Sequence, residues 1–285
     1  NEAADEAAGS QATSVADDAA QSEDAVRLIS AEDLFTDRDL NGSYDESSAV
    51  HVTLSDGGCS ADGSGASADG SAVTITAAGT YVISGSLSSG QVVVDADGQK
   101  VQLVLAGANV SCADSAAIYV KAAKKVWLTL AEGGDNTLAT TGDFVQSDDN
   151  TVDGAVFSKA DLTINGTGAL SVSSASGHGI VCKDALRLVS GTVDVTAARH
   201  AIQAKDYVAV SGGTWTLEAG TDGVHAENAD DAEKGFIYVA GGSLDVTADS
   251  DGFDAANVLE VDGGSVSVGA VDDGLHAERD LVVNG

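Results

Sequence analysis

DGVHAE, at residues 222–227, is one copy of a six-residue pattern that returns as DGFDAA at 251–256 and as DGLHAE at 273–278. Four earlier copies keep the apolar third residue but vary around it: AAIYVK at 116–121, GAVFSK at 154–159, HGIVCK at 178–183 and HAIQAK at 200–205. Successive third residues are 38, 24, 22, 22, 29 and 22 positions apart. A 22-residue period with some longer intervals indicates a repeated structural unit that carries loop insertions in some turns.

Each unit continues with two further stretches in which apolar and polar residues alternate, such as LRLVSG at 186–191 followed by TVDVTA at 192–197. Alternation with period two and a high content of Val and Thr predicts β-strands and excludes helical repeats. Leucine-rich repeats share the period but need Leu and Asn at fixed positions, and a β-sandwich or propeller would not repeat one hexapeptide every 22 residues. We therefore predict an all-β, single-stranded parallel β-helix with three short strands per coil.

Three segments are expected along the chain. Residues 1–29 are acidic, rich in Ala and Ser and without periodicity, so they are predicted to be a disordered tether. Residues 30–90 contain short strands between turns and are predicted to form an N-terminal cap and the first coil. Residues 91–285 are predicted to be the stacked coils. Because LVVNG stops part-way through a coil, we expect the natural protein to extend past Gly285.

The charge balance restricts the partners. The chain has 13 basic and 45 acidic residues and a formal net charge of −32, which argues against nucleic acids and anionic membrane surfaces and favours cations. Acidity that only maintains solubility is the alternative. No apolar run reaches the roughly 18 residues of a membrane span. We expect a secreted, extracellular or surface-attached protein, with membrane contact only through an N-terminal lipid anchor of the kind found in bacterial lipoproteins.

Stacking of the repeats would align equivalent side chains in columns about 4.8 Å apart. The fifth residue of the hexapeptide should point inward, which places Cys182 in a column of small residues with a structural role. Cys59, Cys112 and Cys182 cannot all pair with one another, and no CxxC motif is present. We therefore expect buried thiols and no disulfide framework.

The fourth residue should point outward, and Tyr119 and Phe157 would then form an aromatic pair on adjacent coils. This pair is predicted either to be a platform for a sugar ring or to be buried under the insertion before Thr151. The sixth residue is basic in four successive repeats, including Lys159, Lys183 and Lys205. This basic strip would bind uronate carboxylates or pair with Asp184 and Asp206.

The first residue of the last three hexapeptides is Asp, followed each time by Gly. Asp-Gly is ordinary turn chemistry, in which Asp bonds its own backbone and Gly supplies a positive φ. Stacked carboxylates about 5 Å apart would, however, repel one another by roughly 3 kcal/mol per pair, and a divalent cation would relieve that repulsion. We predict calcium, because every ligand would be a hard oxygen. The candidate ligands are Asp222, Glu227, Asp251, Asp254, Asp272 and Asp273. His225 and His276 flank them, but without Cys they are poor evidence for zinc.

The three Asp-Gly repeats, together with GTYVISGSL at 79–87, VQLVLAGANV at 101–110 and the segment from Asp33 to Gly58, resemble a known bacterial family. Its members are calcium-binding, carbohydrate-binding parallel β-helix proteins of the cell surface, related in fold to polysaccharide lyases. The resemblance covers nearly everything after Ser30. It implies a right-handed coil, calcium held by the acidic residues of the repeats, and binding of plant cell-wall glycans that are cellulose-like or polygalacturonate-like.

Non-catalytic, calcium-dependent carbohydrate binding is therefore the leading hypothesis, with no catalytic residue assigned. The predicted carbohydrate contacts are Tyr119, Phe157, Lys159, Lys183, Lys205, His225 and His276. A polysaccharide lyase is one alternative, but it needs a cluster of cations and a base beside the calcium ion. Arg187, Arg199 and Arg279 do not supply a convincing set. A structural or adhesive surface scaffold is the other alternative.

Overall fold

A computed structural model describes residues 28–284 and shows an all-β protein with almost no helix. Three short helical segments lie near its start: 3-10 turns at Ala31–Asp33 and Glu46–Ser48, and α1 at Asp37–Leu40. The strands are β1 Val50–Leu54, β2 Ser60–Ala61, β3 Ala66–Asp69, β4 Ala72–Ile75, β5 Gly79–Leu87, β6 Gln91–Asp95, β7 Lys100–Cys112, β8 Ile118–Ala122, β9 Lys125–Leu130, β10 Asp135–Thr140, β11 Gly154–Ser158, β12 Asp161–Gly166, β13 Ala169–Ser174, β14 His178–Cys182, β15 Ala185–Leu188, β16 Thr192–Ala197, β17 Ile202–Ala204, β18 Tyr207–Val210, β19 Thr214–Ala219, β20 Val224–Ala226, β21 Phe236–Val239, β22 Ser243–Ala248, β23 Phe253–Ala255, β24 Val258–Val261, β25 Ser265–Ala270, β26 Leu275–Ala277 and β27 Asp280–Val283.

The strands form a large sheet of 17 strands and a small sheet of 10 strands. From β8 onward each repeat contributes one strand to the small sheet and the next two strands to the large sheet, as in the series β14, β15 and β16. Equivalent strands of successive repeats pair in parallel, so β14 pairs with β11 and with β17. The antiparallel pairs of the described chain, β1 with β2 and β3 with β4, lie at its N-terminal end.

The hexapeptide register predicted from the sequence is confirmed. Ile202 lies beside Val224, Val224 beside Phe253, and Phe253 beside Leu275 in the small sheet. The same register runs back through the earlier copies, from Ile180 through Val156 to Ile118. Each side-chain position of the hexapeptide therefore forms a column that runs across the repeats.

The inward-facing columns form one continuous apolar core, in which Trp215 is the largest fully buried side chain. Cys182 is fully buried in the column of small residues, where its thiol donates to the carbonyls of Ala160 and Ala185, both at 3.4 Å. Burial raises the pKa of Cys182 to about 12, so the thiol is unreactive. All three cysteines are free, as expected, but Cys59 is partly exposed, so the prediction of buried thiols is confirmed only for Cys112 and Cys182.

The Asp-Gly pairs differ from the turn chemistry predicted for them. Gly223, Gly252 and Gly274 do not adopt positive φ. A Cβ on Gly223 would instead lie 2.2 Å from Cγ1 of Val246 and 2.6 Å from the carbonyl oxygen of Gly252. Gly252 is crowded in the same way, by Val268 and the carbonyl oxygen of Gly274, so no side chain fits at either position, whereas the nearest atom to a Cβ on Gly274 would be 3.9 Å away.

The N-terminal helix α1 is attached to the large sheet through the buried carboxylate of Asp39. Its Oδ1 accepts hydrogen bonds from Nε1 of Trp127 at 2.9 Å and Oγ1 of Thr163 at 2.7 Å, and lies 2.6 Å from Nζ of Lys125. Burial by itself would raise the pKa of Asp39, but the hydrogen bonds from Lys125, Thr36 and Thr163 lower it below its usual range. Asp39 is therefore a charged anchor between the cap and the repeats.

The predicted tether lies outside the described residues except for its last two. The backbone N–H groups of Leu28 and Ile29 donate to Oε2 of Glu260 at 2.9 and 2.8 Å, so this end of the segment is bound to the large sheet. In the described residues no helix has the length and apolar character that a membrane crossing requires.

Candidate functional site

Tyr119 and Phe157, the aromatic pair on the outer face of the small sheet, are buried. The prediction of an exposed platform is therefore wrong, and the alternative, burial under the insertion, is confirmed. The exposed fractions of Tyr119 and Phe157 are 3% and 2%. Phe144 of the insertion and Val152, just after it, pack against them. The Tyr119 hydroxyl donates to Asp148 at 2.9 Å and accepts from Nδ2 of Asn150 at 2.6 Å. The two rings therefore anchor the insertion and cannot act as a sugar platform.

The lysine column lies at the edge of the small sheet with its side chains partly or fully exposed. Lys159 donates to Asn150 of the insertion. Lys183 lies 3.4 Å from Oε1 of Glu227, two repeats away, and not against Asp184 as the alternative from the sequence had it. Asp206 pairs with Lys234 at 2.8 Å. Lys205 is exposed and makes no ion pair with any residue in the described range.

Glu227, Lys183 and Gln203 form a polar cluster in the middle of this face. Nε2 of Gln203 donates to Oε2 of Glu227 at 2.7 Å, while Oε1 of Glu227 faces Lys183. Oε1 of Gln203 is buried and has no hydrogen-bond partner among the described residues. Both carboxylate oxygens of Glu227 are engaged, so the structure does not bring Glu227 together with the predicted calcium ligands.

Further along the same face, Asp254 lies between two histidines. Its Oδ2 is 2.9 Å from Nδ1 of His225 and its Oδ1 is 2.8 Å from Nδ1 of His276. The hydrogen bond from His225 lowers the pKa of Asp254. Burial lowers the pKa of His225, but the bond and charge of Asp254 outweigh it and raise the pKa overall. His225 and His276 therefore lie on the predicted face, bound to an acidic partner.

A ladder of side chains runs along the residues that begin β14 or precede β17, β20 and β23. Nδ1 of His178 accepts the backbone N–H of His200, and Nδ1 of His200 accepts that of Asp222, both at 3.2 Å. Oδ1 of Asp222 accepts the N–H of Asp251 at 3.1 Å, and Oδ1 of Asp251 accepts that of Asp273 at 2.8 Å. Each side chain thus binds the backbone of the following repeat, and we refer to these residues as the turn ladder.

The turn ladder also stacks aromatic rings. The ring of His200 lies between those of His178 and His225, with centroids 4.8 and 4.6 Å away and planes tilted by 15° and 6°. The sequence did not group His178 and His200 with the site, although their place at the first hexapeptide position is the signal that would have done so.

Three groups of side chains bring ligand atoms within 4.8 Å of one another. Two of them include histidine: His200 with Asp222 and His225, and Asp251 with Asp254 and His276. The third consists only of carboxylates, from Asp251, Asp272 and Asp273. Burial and the charges of Asp222, Asp254 and Asp272 raise the pKa of Asp251, although the N–H of Asp273 opposes the rise.

The all-carboxylate group is the best match for calcium, which takes oxygen ligands. Asp272 and Asp273 are exposed, and Asp251 is partly exposed, so an ion has access and can keep water ligands. Of the six predicted ligands, the structure brings these three together. Asp222 and Asp254 lie beside them among histidines.

A pocket of about 490 Å³ opens next to this region, lined by His225, Glu227, Ala229, Asp254, Ala256, Asn257, Glu278 and Arg279. Arg279 reaches its edge and donates to the carbonyl of Ala232 at 3.3 Å. Arg187, by contrast, lies on the large sheet, buried, with Nε donating to the carbonyl of Leu34 at 2.5 Å. Arg199 lines a third place, beside Asp153 and Gly177, so the three arginines are not gathered at one site.

Comparison with known proteins places these features in context. The model of the family described as "Carbohydrate-binding domain-containing protein" matches residues 69–285. A protein of that description from Acetivibrio thermocellus (strain ATCC 27405) is 38% identical over 128 residues, which are 44% of this chain and 45% of that protein. The matched part is thus less than half of the relative's length.

A solved structure titled as the polysaccharide lyase-like protein from C. thermocellum, gadolinium derivative, is also similar. It superposes with a TM-score of 0.79 at 30% sequence identity, and the match covers 82% of this chain and 96% of that one. Both the arrangement of the sheets and part of the sequence are therefore shared with a polysaccharide lyase-like protein.

Proposed function

The chain belongs to the carbohydrate-binding domain-containing protein family, and from this premise we propose that it binds acidic, uronate-containing polysaccharide in a calcium-dependent, non-catalytic manner. The binding surface is the outer face of the small sheet from Lys183 to His276. Calcium occupies the group formed by Asp251, Asp272 and Asp273.

The observation that carries this proposal is the close approach of those three carboxylates. Oxygen atoms within 4.8 Å of one another belong to three groups of like charge. At an effective dielectric near 20, each pair of charges at this distance repels by about 3 kcal/mol. A divalent cation converts that repulsion into attraction, and oxygen-only ligands favour calcium over transition metals.

The cationic side chains on the same face support the proposed preference for acidic glycans. Lys183, Lys205 and Arg279 lie on or beside the small sheet, on a chain whose net charge is −32. A uronate carboxylate would gain attraction from them that a neutral sugar would not. Bound calcium would add a bridge between the aspartates and the carboxylate of the glycan.

The finer description of the fold and its location belong to the same proposal. We infer that the parallel stacks close into a right-handed β-helix, because each repeat returns to the same register after three strands. We also propose that the protein is secreted and attached to the cell surface, where calcium is abundant and polysaccharide is accessible.

Retention on immobilised polygalacturonate tests this proposal. With calcium the protein should be retained, with EDTA it should elute, and no unsaturated uronide should form in either case. The Asp272→Asn/Asp273→Asn variant should lose retention, whereas Asp194→Asn, an exposed aspartate of β16, should not. Retention that EDTA leaves unchanged would contradict the calcium site. Release of unsaturated uronides would identify the protein as a lyase. Absence of retention in both buffers would contradict carbohydrate binding and favour the structural or adhesive surface scaffold.

A further inference from the structure

A group of nitrogen and oxygen donors lies beside the three carboxylates proposed for calcium and has no residue in common with them. One ring nitrogen each of His200 and His225 and one carboxylate oxygen of Asp222 lie within 4.8 Å of one another. The other group that includes a histidine contains Asp251, so calcium would compete for it. The first group is therefore independent of the calcium group, and we call it the histidine group.

Oδ2 of Asp222 is the oxygen that the two imidazoles share. It lies 3.0 Å from Nδ1 of His200 and 3.5 Å from Nδ1 of His225. Oδ1 of the same carboxylate accepts the backbone N–H of Asp251, which leaves Oδ2 for an ion. With metal–ligand bonds of about 2.0 to 2.1 Å, neighbouring ligand atoms of a tetrahedral ion lie about 3.3 Å apart. The two distances to Oδ2 are close to that value.

The contact between His200 and Asp222 needs a cation. Nδ1 of His200 accepts the backbone N–H of Asp222 at 3.2 Å, so this nitrogen presents a lone pair. Oδ2 of Asp222 is also an acceptor, and two acceptors 3.0 Å apart repel unless a proton or a metal ion lies between them. The side chain of Asp222 is only 9% exposed, so water screens this repulsion poorly.

The donor atoms of the histidine group select a class of ion. Imidazole nitrogen suits zinc, copper and nickel, whereas calcium takes oxygen ligands. Two imidazoles and one carboxylate are a known set of three protein ligands for zinc, with water in the fourth position. The calcium group offers only carboxylate oxygen, so the two groups should select different ions.

Binding of an ion requires the two imidazole rings to turn. The rings of His200 and His225 are stacked with their planes 6° apart, and an ion must lie in the plane of each ring that binds it. The torsion about the Cβ–Cγ bond of histidine is broad, and both side chains are partly exposed, so the rings have freedom to turn. Nδ1 of His200 would exchange its contacts with the Asp222 N–H and the Thr221 hydroxyl for the ion, and Nδ1 of His225 its contact with Asp254.

We propose that the histidine group binds one divalent transition-metal ion of the zinc class through Nδ1 of His200, Oδ2 of Asp222 and Nδ1 of His225. The inference goes beyond the proposed function, because it requires neither glycan nor calcium. His225 and His276 were poor evidence for zinc in the sequence, but the structure pairs His225 with His200 across one carboxylate. The ion would lie one hydrogen bond from the backbone of Asp251, a proposed calcium ligand.

Calorimetry with Zn²⁺ in saturating calcium tests the inference. One Zn²⁺ should bind per chain, and His200→Gln, His225→Gln and Asp222→Asn should each weaken binding about tenfold or more. Asp222→Asn is the sharpest of the three variants, because its Oδ1 can still accept the N–H of Asp251. Co²⁺ bound in place of Zn²⁺ should show the strong visible absorption of a four-coordinate ion and lose it in the same variants. Melting temperatures report whether each variant is folded.

Two histidines outside the group provide matched controls. His51, which is partly exposed on β1, and His276, which belongs to the other group with a histidine, should both be replaceable by Gln without effect on Zn²⁺ binding. Loss of binding in His276→Gln but not in His200→Gln would place the ion in that other group and overturn the inference. Equal binding in the unaltered protein and in folded His200→Gln would also overturn it.

The remaining outcomes separate this site from the calcium group. Asp272→Asn/Asp273→Asn should lose retention on polygalacturonate and keep Zn²⁺ binding. Absence of Zn²⁺ binding in saturating calcium, or loss of it in that double variant, would overturn the histidine group, while calcium-dependent retention of the unaltered protein would still stand. Failure of retention with intact Zn²⁺ binding would contradict the proposed function alone.

Discussion

Nζ of Lys125 lies 2.6 Å from Oδ1 of Asp39, and this contact joins the N-terminal helix α1 to strand β9 of the large sheet. The carboxylate is fully buried and the lysine side chain is 10% exposed. A charge pair in such a position stabilises the fold only while both partners are present, because either one alone would be a buried, uncompensated charge.

Asp39→Asn should therefore destabilise the protein by about 3 to 5 kcal/mol. The variant leaves Lys125 charged and without its carboxylate, and weakens the bonds from Trp127 and Thr163. Asp37→Asn, an exposed neighbour in the same helix, is the matched control and should have little effect. Urea unfolding of the three proteins measures the difference, and equal stability of Asp39→Asn and Asp37→Asn would show that the pair contributes nothing.

Ionisation of Asp184 should lower the free energy of unfolding as the pH rises. Burial, its hydrogen bond with Asp206 and the charge of Asp161 raise the pKa of Asp184 to about 6. An acid whose pKa is higher in the folded state than in the unfolded state is unfavourable when ionised, so its cost is fully present above about pH 6 and is lost as the pH falls to the ordinary Asp value of 3.8. Asp184→Asn should raise the melting temperature by a few degrees at pH 7 and hardly at all at about pH 3.5. A gain of the same size at both pH values, or one matched by Asp194→Asn, would refute this.

Gly223 should tolerate no side chain. A Cβ there would lie 2.2 Å from Val246 and 2.6 Å from the carbonyl oxygen of Gly252, so Gly223→Ala should cost about 1 to 3 kcal/mol. Gly269→Ala is the control, because nothing lies within 4 Å of its Cβ position. Thermal unfolding should separate the two variants clearly. Similar melting temperatures would mean that the turn can move away from its core.

Calcium should stabilise the protein by binding to the carboxylates of Asp251, Asp272 and Asp273. At a free calcium concentration about 100 times the dissociation constant, the free energy of unfolding should rise by about 2.7 kcal/mol. The Asp251→Asn/Asp273→Asn variant should lose this gain, yet in EDTA it should be at least as stable as the unaltered protein, since mutual repulsion is removed. Melting curves in both buffers provide the measurement. A variant that calcium still stabilises fully would place the ion elsewhere.

Tyr119→Phe should loosen the insertion and leave the sheets intact. The substitution removes the hydroxyl that hydrogen-bonds to Asp148 and Asn150, and should destabilise the folded insertion by about 1 kcal/mol. Limited proteolysis should then cut within residues 141–153 faster. Tyr238→Phe, which loses a similar bond to Asp262 on the large sheet, is the control and should not affect cleavage there. Unchanged cleavage in Tyr119→Phe would show that ring packing alone holds the insertion.

The sequence predicted the register of the repeats because the signal is periodic. The apolar third residue and the small fifth residue of each hexapeptide must face the core, and a shift of one position would expose both. This is why Ile202, Val224 and Phe253 could be aligned correctly without coordinates. The inward place of Cys182 followed from the same argument.

The contacts of the outer face could not be predicted in the same way. Whether Tyr119 is exposed or buried depends on how the insertion before Thr151 folds. That insertion has no sequence periodicity, so the sequence left both possibilities open. Lys183 pairs with Glu227, two repeats away, whereas the sequence suggested its immediate neighbour. His200 lies at the end of one turn and His225 in the middle of a strand, and only the close stacking of repeats brings their rings together.

The turn ladder restricts where this chain could lengthen during evolution. Each of its hydrogen bonds requires that the turn before a strand of the small sheet keep the same length, since one added residue would move the side chain away from the N–H of the next repeat. Among the described residues the connection between β20 and β21 carries no bond of the turn ladder, and this is where residues 228–235 loop out. The longer insertion, residues 141–153, does lie in a turn before a strand of the small sheet, but it precedes β11, where the ladder has not yet begun. Within the repeats that the ladder joins, new loops are therefore expected after the strand of the small sheet and not before it.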